Sequence, residues 1–412
     1  MTDCFITNYN VECPPGALSA VLEDSIMQKG RPVTAGSKIL ENFVSPLDAT
    51  VVTRLGEAGV IIHGKAKMDE FGISGLFPDA DGGFSGAVSA VAGGAASFAL
   101  CNDYTGTVRR LAAGHGLYYI HPTYGSVSRY GLIPAAPSMD QIGVVCKTPE
   151  EGFRALSVIA GYDPKDGAML ESGKRKEESE KIEARSEKIR IGVPVNVISR
   201  IAGSGTAGEV VKNFETVSFE LRHFNIYAQV MQILCCAELS SNLTRYDGVK
   251  FGYRAGEFRD LHELYVKSRT EAMGPDAKLA SILGAMILSQ DYYEKYYDKA
   301  MRIRRLIKES LEFDKYDLIA MPAPGADPVT RLALGALPQL CGLPALTIPS
   351  GAGGAMPGGG AMPGGGTMPG GGTMPGGGTT PGGGTTPGGA VTLIANAGND
   401  TLLLAAMKAV RQ

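Results

Sequence analysis

The chain has 412 residues, a hydrophobic content of 44% and a formal net charge of −3 at pH 7. This length allows one large α/β domain or two smaller ones, and the small charge gives no reason to expect direct capture of nucleic acid or of an anionic membrane. The 5 histidines and 7 cysteines show no HExxH or CxxC spacing, so we expect neither a metal site nor a cofactor, and the cysteines to be reduced thiols.

In the first part of the chain, segments without a clear hydrophobic period alternate with apolar segments. Residues 1–21 carry no clear period and form a poorly defined N-terminal segment. Helices are predicted over Ser37–Phe43 and Asp48–Gly59, and a short buried strand at Val60–Ile62. The small-residue run Ser85–Leu100 predicts a tightly packed internal helix, because it is too short to span a bilayer. With no secretory signal at the N-terminus, we expect a cytoplasmic protein.

A helix over Pro149–Ile159 has the best-defined start in the chain. Thr148 is its expected N-cap, Pro149 occupies the first helical position, and Glu151 completes a capping box. The mixed-sign charge run Lys174–Lys188 that follows is typical of a solvated helix or loop. Further apolar patterns predict a strand at Ile189–Pro194, helical regions over Gly208–Ser240 and Ala277–Leu311, and strands at Ala345–Pro349 and Val391–Ile394.

Residues 351–389 form a repeat with a period of six, in which a proline is followed by clustered glycines. The segment has almost no large apolar side chains, so it cannot bury enough surface to offset the entropy of ordering it. Because apolar strands are predicted on both sides, we expect a flexible loop that interrupts one domain spanning residues 22–412. A partner-binding segment is the alternative.

Five segments, in this order and spacing, carry a resemblance to a known family. They are Gly64–Phe71, Gly82–Ser89, Asp103–Arg109, Pro122–Gly131 and Met139–Gly143. The segments resemble the amidase signature family. The resemblance implies an α/β fold with a central mixed twisted sheet covered by helices in a single large domain.

Within that family the chain is most similar to the A-type subunit of the tRNA-dependent glutamine amidotransferase, because Ser240–Arg254 also matches that protein. The resemblance implies hydrolysis of the glutamine side-chain amide, which supplies ammonia for transamidation. It also implies B- and C-type partner subunits, a small amide substrate such as glutamine, and no direct contact with nucleic acid or membrane.

The family's catalytic residues are only partly matched in this chain. The resemblance places Lys65 at the catalytic lysine, and burial at the end of an apolar strand would lower its pKa toward that of a general base. It places Thr107 at the nucleophilic serine, where the extra methyl group restricts the side chain. The position of the family's serine in a cis peptide falls on Gly83 or Phe84, depending on the alignment, and Ser85 matches a second serine.

The same resemblance assigns the oxyanion loop to Tyr104, Thr105 and Gly106, and substrate contacts to Asp103, Arg109 and Tyr246. The loop has lost one of the family's glycines at Thr105. A family arginine that would hold the glutamine carboxylate is expected after Lys278, where the sequence has Leu279 and Ala280.

Two hypotheses therefore stay open. The chain is an enzyme similar to the A-type amidotransferase subunit that uses Thr107 and Lys65, with weak or lost hydrolysis, or it is a non-catalytic scaffold or regulatory relative of the same fold. A decaying paralogue without a defined role is a third possibility.

Overall fold

A mixed β-sheet forms the centre of the computed structural model, which describes residues 4–14, 16–77, 83–169, 189–198, 211–322, 328–350 and 390–410. Eleven strands in these residues join in the order β1-β3-β2-β4-β6-β5-β10-β11-β9-β7-β8. In chain order they are β1 Phe5–Asn8, β2 Ser19–Glu23, β3 Ile61–Ala66, β4 Phe98–Asn102, β5 Tyr118–His121, β6 Ile142–Cys146, β7 Arg190–Pro194, β8 Glu215–Phe219, β9 Leu318–Pro322, β10 Ala345–Ile348 and β11 Val391–Ala395. The expected sheet with helical cover is confirmed.

Helices cover both faces of this sheet. In chain order they are α1 Thr50–Glu57, α2 Gly86–Ala92, α3 Thr107–Gly114, α4 Pro149–Ile159, α5 Val195–Ile198, α6 Tyr227–Leu243, α7 Leu261–Ala272, α8 Pro275–Ile287, α9 Lys299–Glu309, α10 Pro328–Cys341 and α11 Asp400–Val410. Helices α1, α4 and α11 share one apolar core with the sheet. On the opposite face α2 and α3 pack against the strands, beside a larger cluster built around α6, α8 and α10.

The strand residues alternate between these two cores. Ala20 and Leu22 of β2 pack with α1 and α4, whereas Val21 between them packs with α2 and α3. This is the period of two that a strand covered on both faces requires. The sheet therefore separates two layers of helices.

Three neighbouring strands run parallel, and this arrangement positions the candidate site. Strand β2 pairs in parallel with β3 on one side and with β4 on the other. The carboxyl ends of parallel strands meet at one edge of a sheet, where ligand sites of open α/β sheets form. Glu23, Lys65 and Asn102, which lie at or next to the ends of these strands, are therefore brought to the same edge.

Several predicted elements are confirmed. Helix α4 begins at Pro149, and the Thr148 hydroxyl accepts a hydrogen bond from the Glu151 N–H, as the capping pattern predicts. The strands on either side of the repeat pair with each other as antiparallel neighbours β10 and β11. The repeat 351–389 itself, the charge run Lys174–Lys188 and part of Gly208–Ser240 lie outside the described residues.

Other helix predictions were wrong or too long. The run Ser85–Leu100 forms α2 only as far as Ala92, because Gly93 and the left-handed Gly94 end the helix and the chain then enters β4. Ser37–Phe43 contains a single 3₁₀ turn over Lys38–Leu40.

Two later helical regions are also interrupted. Gly208–Ser240 contains strand β8, rich in β-branched and aromatic residues, before α6 begins. Ala277–Leu311 divides into α8, a π-helical turn at Glu294–Asp298, and α9.

The N-terminal segment 1–21 contributes to the sheet. Strand β1 and the first residues of β2 lie within it and pair with β3. None of the helices in the described part of the chain combines the length and the apolar character needed to cross a membrane.

Candidate active site

The loop between β4 and α3 leads to Thr107, which the resemblance assigns to the nucleophile. Gly106 precedes helix α3 in a left-handed conformation (φ +84°), which a residue with a side chain rarely adopts. A β-carbon at Gly106 would also lie 3.2 Å from the Cα atom of Gly335, so the loop packs closely against α10. Glycine is therefore required here by both the backbone angle and the packing.

Asp103 and Arg109 hold this loop from inside the protein. The Asp103 carboxylate accepts hydrogen bonds from the backbone N–H groups of Val108 (2.9 Å) and Arg109 (3.3 Å), and from the Arg109 Nε atom (2.9 Å). It thus caps helix α3 and neutralises a buried guanidinium. Both residues, assigned to substrate contacts by resemblance, are buried and bonded to each other.

The Thr107 hydroxyl is held by protein atoms. Its Oγ1 donates to the Ser74 carbonyl oxygen at 2.7 Å and accepts from the Thr105 hydroxyl at 2.9 Å. Thr105 also lies 3.3 Å from the same carbonyl oxygen. The side chain of Thr107 is 6% exposed. The donor capacity of this hydroxyl is therefore used inside the protein.

Two glycines close over Thr107. A β-carbon on Gly75 would collide with Thr107 Oγ1, and a β-carbon on Gly83 would lie 2.6 Å from Thr107 Cγ2. Both glycines have positive φ angles. Phe84, the other candidate for the serine position, is 45% exposed. Of the two candidates for the cis-serine position, Gly83 is therefore the one that lies against Thr107. The described residues contain no cis peptide bond.

Lys65 lies in β3 and is completely buried. Its Nζ atom donates to the Ile26 carbonyl oxygen and lies 3.7 Å from the Asp24 carboxylate. Burial lowers the pKa of Lys65 to about 8, although the charges of Asp24 and Glu23 act in the opposite direction. Among the described residues no hydrogen bond joins Lys65 to Thr107 or Ser85.

A second buried network lies at the end of β2. The Glu23 carboxyl group accepts hydrogen bonds from the Asn102 N–H (2.9 Å) and the Ser25 hydroxyl (2.8 Å). The Asn102 side chain in turn donates to Asp140 at 2.9 Å. Burial raises the pKa of Glu23 to about 8 and that of Asp140 to about 6.

The remaining sequence-predicted residues make contacts within the protein. The Ser85 hydroxyl accepts the Val88 N–H and caps helix α2. The Tyr104 hydroxyl donates to the Phe71 carbonyl oxygen at 3.0 Å. Tyr246 stacks on the Phe71 ring, with a centroid separation of 5.6 Å. Both tyrosines are buried.

A cavity of about 450 Å³ lies beside the β4–α3 loop, with Ser74 among its lining residues. We call it the acidic cavity, because its charged lining residues are Asp69, Glu70, Glu271 and Asp276, with Lys38 as the lining cation. Burial and the charge of Asp276 raise the pKa of Asp69 and of Glu70 above their ordinary values. Lys38 Nζ rests over the Tyr253 ring, 4.3 Å from its centroid. The lining is thus predominantly negative.

The sequence model of the family described as Amidase matches residues 18–76 and 82–340. This chain belongs to the amidase family. Among curated members, the A-type subunit of the glutamyl-tRNA(Gln) amidotransferase of Carboxydothermus hydrogenoformans is 36% identical over 387 residues, which cover 83% of this chain and 79% of that protein. The corresponding protein of Lachnoclostridium phytofermentans is 34% identical over 383 residues, covering 82% and 76%.

Solved structures of amidase-family proteins share the fold. The A-type subunit of the glutamyl-tRNA(Gln) amidotransferase of Thermotoga maritima has a TM-score of 0.66 at 24% identity, over 99% of this chain and 85% of that one. A 6-aminohexanoate cyclic dimer hydrolase has a TM-score of 0.66 at 16% identity, over 96% and 85%. At these identities the similarity shows that this chain has the same fold as those two proteins.

Sequence reasoning missed four residues of this candidate site. Ser74 supplies the carbonyl oxygen that binds Thr107, and Glu23, Asp24 and Asn102 form the buried polar layer. Glu23 and Asp24 had a signal, since two carboxylates directly follow the apolar run of β2. Ser74 had none, because its contribution comes from the backbone.

Proposed function

We propose that this chain is a member of the amidase family, similar to the A-type amidotransferase subunit, whose own amide hydrolysis is weak or lost. Its part in the family's hydrolysis of glutamine, which supplies ammonia for transamidation beside B- and C-type subunits, is then reduced or absent. The observation that carries the proposal is the Thr107 hydroxyl, which donates to the Ser74 carbonyl oxygen at 2.7 Å.

A nucleophilic hydroxyl needs a base that accepts its proton within hydrogen-bond reach. In this chain the acceptor of the Thr107 proton is a carbonyl oxygen, which cannot retain a proton at neutral pH. The Lys65 ammonium group contacts Ile26 and Asp24 instead. The hydroxyl of Ser85 is directed to the N-terminus of α2. The expected Lys–Ser–Thr proton route is therefore unsupported by these contacts.

Access to Thr107 is a second obstacle. A substrate carbonyl carbon would have to approach Oγ1 to about 3 Å before attack. The Ser74–Gly75 backbone and Gly83 occupy this approach, and a single β-carbon at Gly75 would already collide with Oγ1. Hydrolysis would require this backbone to move.

The charge of the acidic cavity also disfavours glutamine as a ligand. Glutamine carries an α-carboxylate as well as an α-ammonium group, and the lining offers the carboxylate one lysine beside four carboxyl side chains. Like charges that are held close in a partly buried site repel each other. The position at which the family's arginine was expected holds Leu279, which is 41% exposed. The absence of a compensating arginine there supports the loss of glutamine recognition.

The alternative is a scaffold or regulatory partner with no hydrolysis at all. The buried Asp103–Arg109 pair and the capping contacts of α3 favour it, because they preserve the fold without providing a nucleophile. Under either form of the proposal, B- and C-type subunits are the expected partners. The cytoplasmic location stays a prediction.

The test is ammonia release by the full chain from glutamine, asparagine and simple amides, alone and with B- and C-type amidotransferase subunits. Because hydrolysis is weak or lost, we expect ammonia release by wild type to be at, or barely above, the background of Thr107→Ala and Lys65→Ala. Ammonia release by wild type that is far above this background and that both substitutions abolish would contradict the proposal. Complex formation is measured separately by co-elution, so that a missing partner is distinguished from a missing activity.

A gain-of-function variant sharpens this test. A β-carbon at Gly83 would meet both Ser74 Oγ and Thr107 Cγ2. Thr107→Ser removes the second contact, and Gly83→Ser, designed together with it, requires the Ser74 hydroxyl to rotate away. The matched pair Thr107→Ser with Phe84→Ser places the second serine at an exposed position instead. Ammonia release by the first pair alone would show that the chemical groups, and not the scaffold, were lost.

A further inference from the structure

A second cavity of about 470 Å³ lies away from Thr107, and it shares no lining residue with the acidic cavity. It is bounded by α9, by the carboxyl end of α10, by the turn after β5 and by Ala397 beyond β11. We call it the basic cavity, because its charged lining residues are Arg304, Arg305 and Lys308, without a carboxylate among those described. Its volume is in the range of small-molecule sites.

The three cations contribute differently. Arg304 is committed to the wall: it donates to the carbonyl oxygens of Leu340 (2.6 Å) and Ser138 (2.9 Å) and to the Ser138 hydroxyl (2.8 Å). Arg305 donates through Nε to Glu309 at 2.7 Å, which leaves its terminal nitrogens for other acceptors. The Lys308 ammonium group makes no hydrogen bond or ion pair with any described residue.

Two cationic groups that are available to a ligand, those of Arg305 and Lys308, thus lie on the same side of the basic cavity. Arg305 and Lys308 are three residues apart on α9, a spacing that puts side chains on neighbouring positions of one helix face. Arg304 joins α9 to α10, so the helix that presents Arg305 and Lys308 is held in place. Charge-assisted hydrogen bonds from such groups are the usual means by which proteins hold carboxylates and phosphates.

Apart from Thr123 and Tyr124, the rest of the lining is apolar. Met301, Leu340 and Ala397 line the cavity together with the cations. Burial raises the pKa of the Cys341 thiol, also in the lining, to about 12, so this thiol adds no negative charge at neutral pH. A ligand that fits both the cationic and the apolar part of the lining has an anionic group that contacts Lys308 and Arg305, and an apolar body that packs against Met301 and Leu340.

We propose that the basic cavity binds a small organic anion, a carboxylate or phosphate monoester with an apolar body. This site is separate from the Thr107 loop and does not depend on whether the chain hydrolyses amides.

The experiment uses calorimetric titration of the full chain at low salt with phenyl phosphate and with benzoate. Inorganic phosphate and benzyl alcohol test the anionic and the apolar part alone. We expect saturable binding of at least one aromatic anion, and weaker binding of both single-part probes. Lys308→Glu weakens the binding about tenfold or more, because it replaces a charged hydrogen bond by repulsion.

Arg302→Ala is the matched control, since Arg302 lies on the same helix, pairs with Asp298 and is absent from the described lining. It should bind as wild type. Met301→Glu, at a partly exposed position, is a second variant should Lys308→Glu fail to fold. The proposal is overturned if neither aromatic anion binds saturably, if both lining variants bind as wild type, or if inorganic phosphate binds as tightly as phenyl phosphate.

Discussion

The candidate site has an inner and an outer layer that differ in kind. The inner layer consists of buried charged and polar groups under the β4–α3 loop, where Asp103 meets Arg109 and Glu23 meets Asn102. The outer layer is the surface of that loop, where Thr107 meets the Ser74 carbonyl oxygen and Gly83. The inner layer stabilises the position of helix α3, and the outer layer contains the hydroxyl that the family resemblance assigns to the nucleophile.

This difference separates two properties of an amidase-family chain. A buried ion pair must keep both partners, because removing one leaves an uncompensated charge in a low-dielectric interior. A nucleophile can be replaced by another hydroxyl at little cost to folding, provided that its hydrogen bonds are satisfied. The fold can thus persist after the chemistry has changed, and three predictions test whether the two layers are separable in this way.

The largest effect is expected for Arg109→Ala in the inner layer. It leaves the buried Asp103 carboxylate without its cation, and we expect the free energy of unfolding to fall by about 3 kcal/mol. Urea denaturation followed by circular dichroism measures this. Arg302→Ala, which breaks an ion pair whose arginine is 77% exposed, should cost less than about 1 kcal/mol. Equal losses in the two variants would show that the inner pair does not stabilise the fold.

An intermediate effect, and a dependence on pH, is expected for Glu23→Gln. The pKa of Glu23 is raised from 4.5 to about 8 in the folded protein. Between these values the folded protein holds a proton that the unfolded chain has released, so unfolding becomes more favourable as pH rises. The stabilisation is fully present below pH 4.5 and is lost as pH rises through 8.

Glu23→Gln should flatten the decline in the free energy of unfolding between these pH values. Lys65 acts in a higher window, because its pKa falls from 10.5 to about 8 on folding. Between pH 8 and pH 10.5 the unfolded chain binds more protons than the folded protein. The free energy of unfolding therefore rises with pH in this range, in wild type and in Glu23→Gln. Glu57→Gln, at an exposed position of α1, is the control and should keep the slope of wild type. If the free energy of unfolding of Glu23→Gln fell with pH as steeply as that of wild type, Glu23 would be excluded as the cause of the decline.

Elements of the fold were easier to predict from the sequence than the contacts within the two layers. The Thr148 cap and the strands flanking the repeat were predicted because their signals are local. The Asp103 cap on α3 was missed as such, since the resemblance assigned Asp103 to substrate, and only the fold shows that its carboxylate turns inward. The contact between Thr107 and Ser74 joins residues 33 positions apart through a backbone oxygen, which no side-chain pattern can indicate.

The smallest effect is expected in the outer layer, for Thr107→Val. This substitution keeps the size of the side chain but removes the hydroxyl, so the Ser74 carbonyl oxygen and the Thr105 hydroxyl each lose a partner. We expect a loss of about 1 kcal/mol in the free energy of unfolding. Thr107→Ser, which keeps the hydroxyl, should lose less. If Thr107→Val instead kept full stability and removed an ammonia release present in wild type, the hydroxyl would serve as a nucleophile and the outer layer would be a working active site.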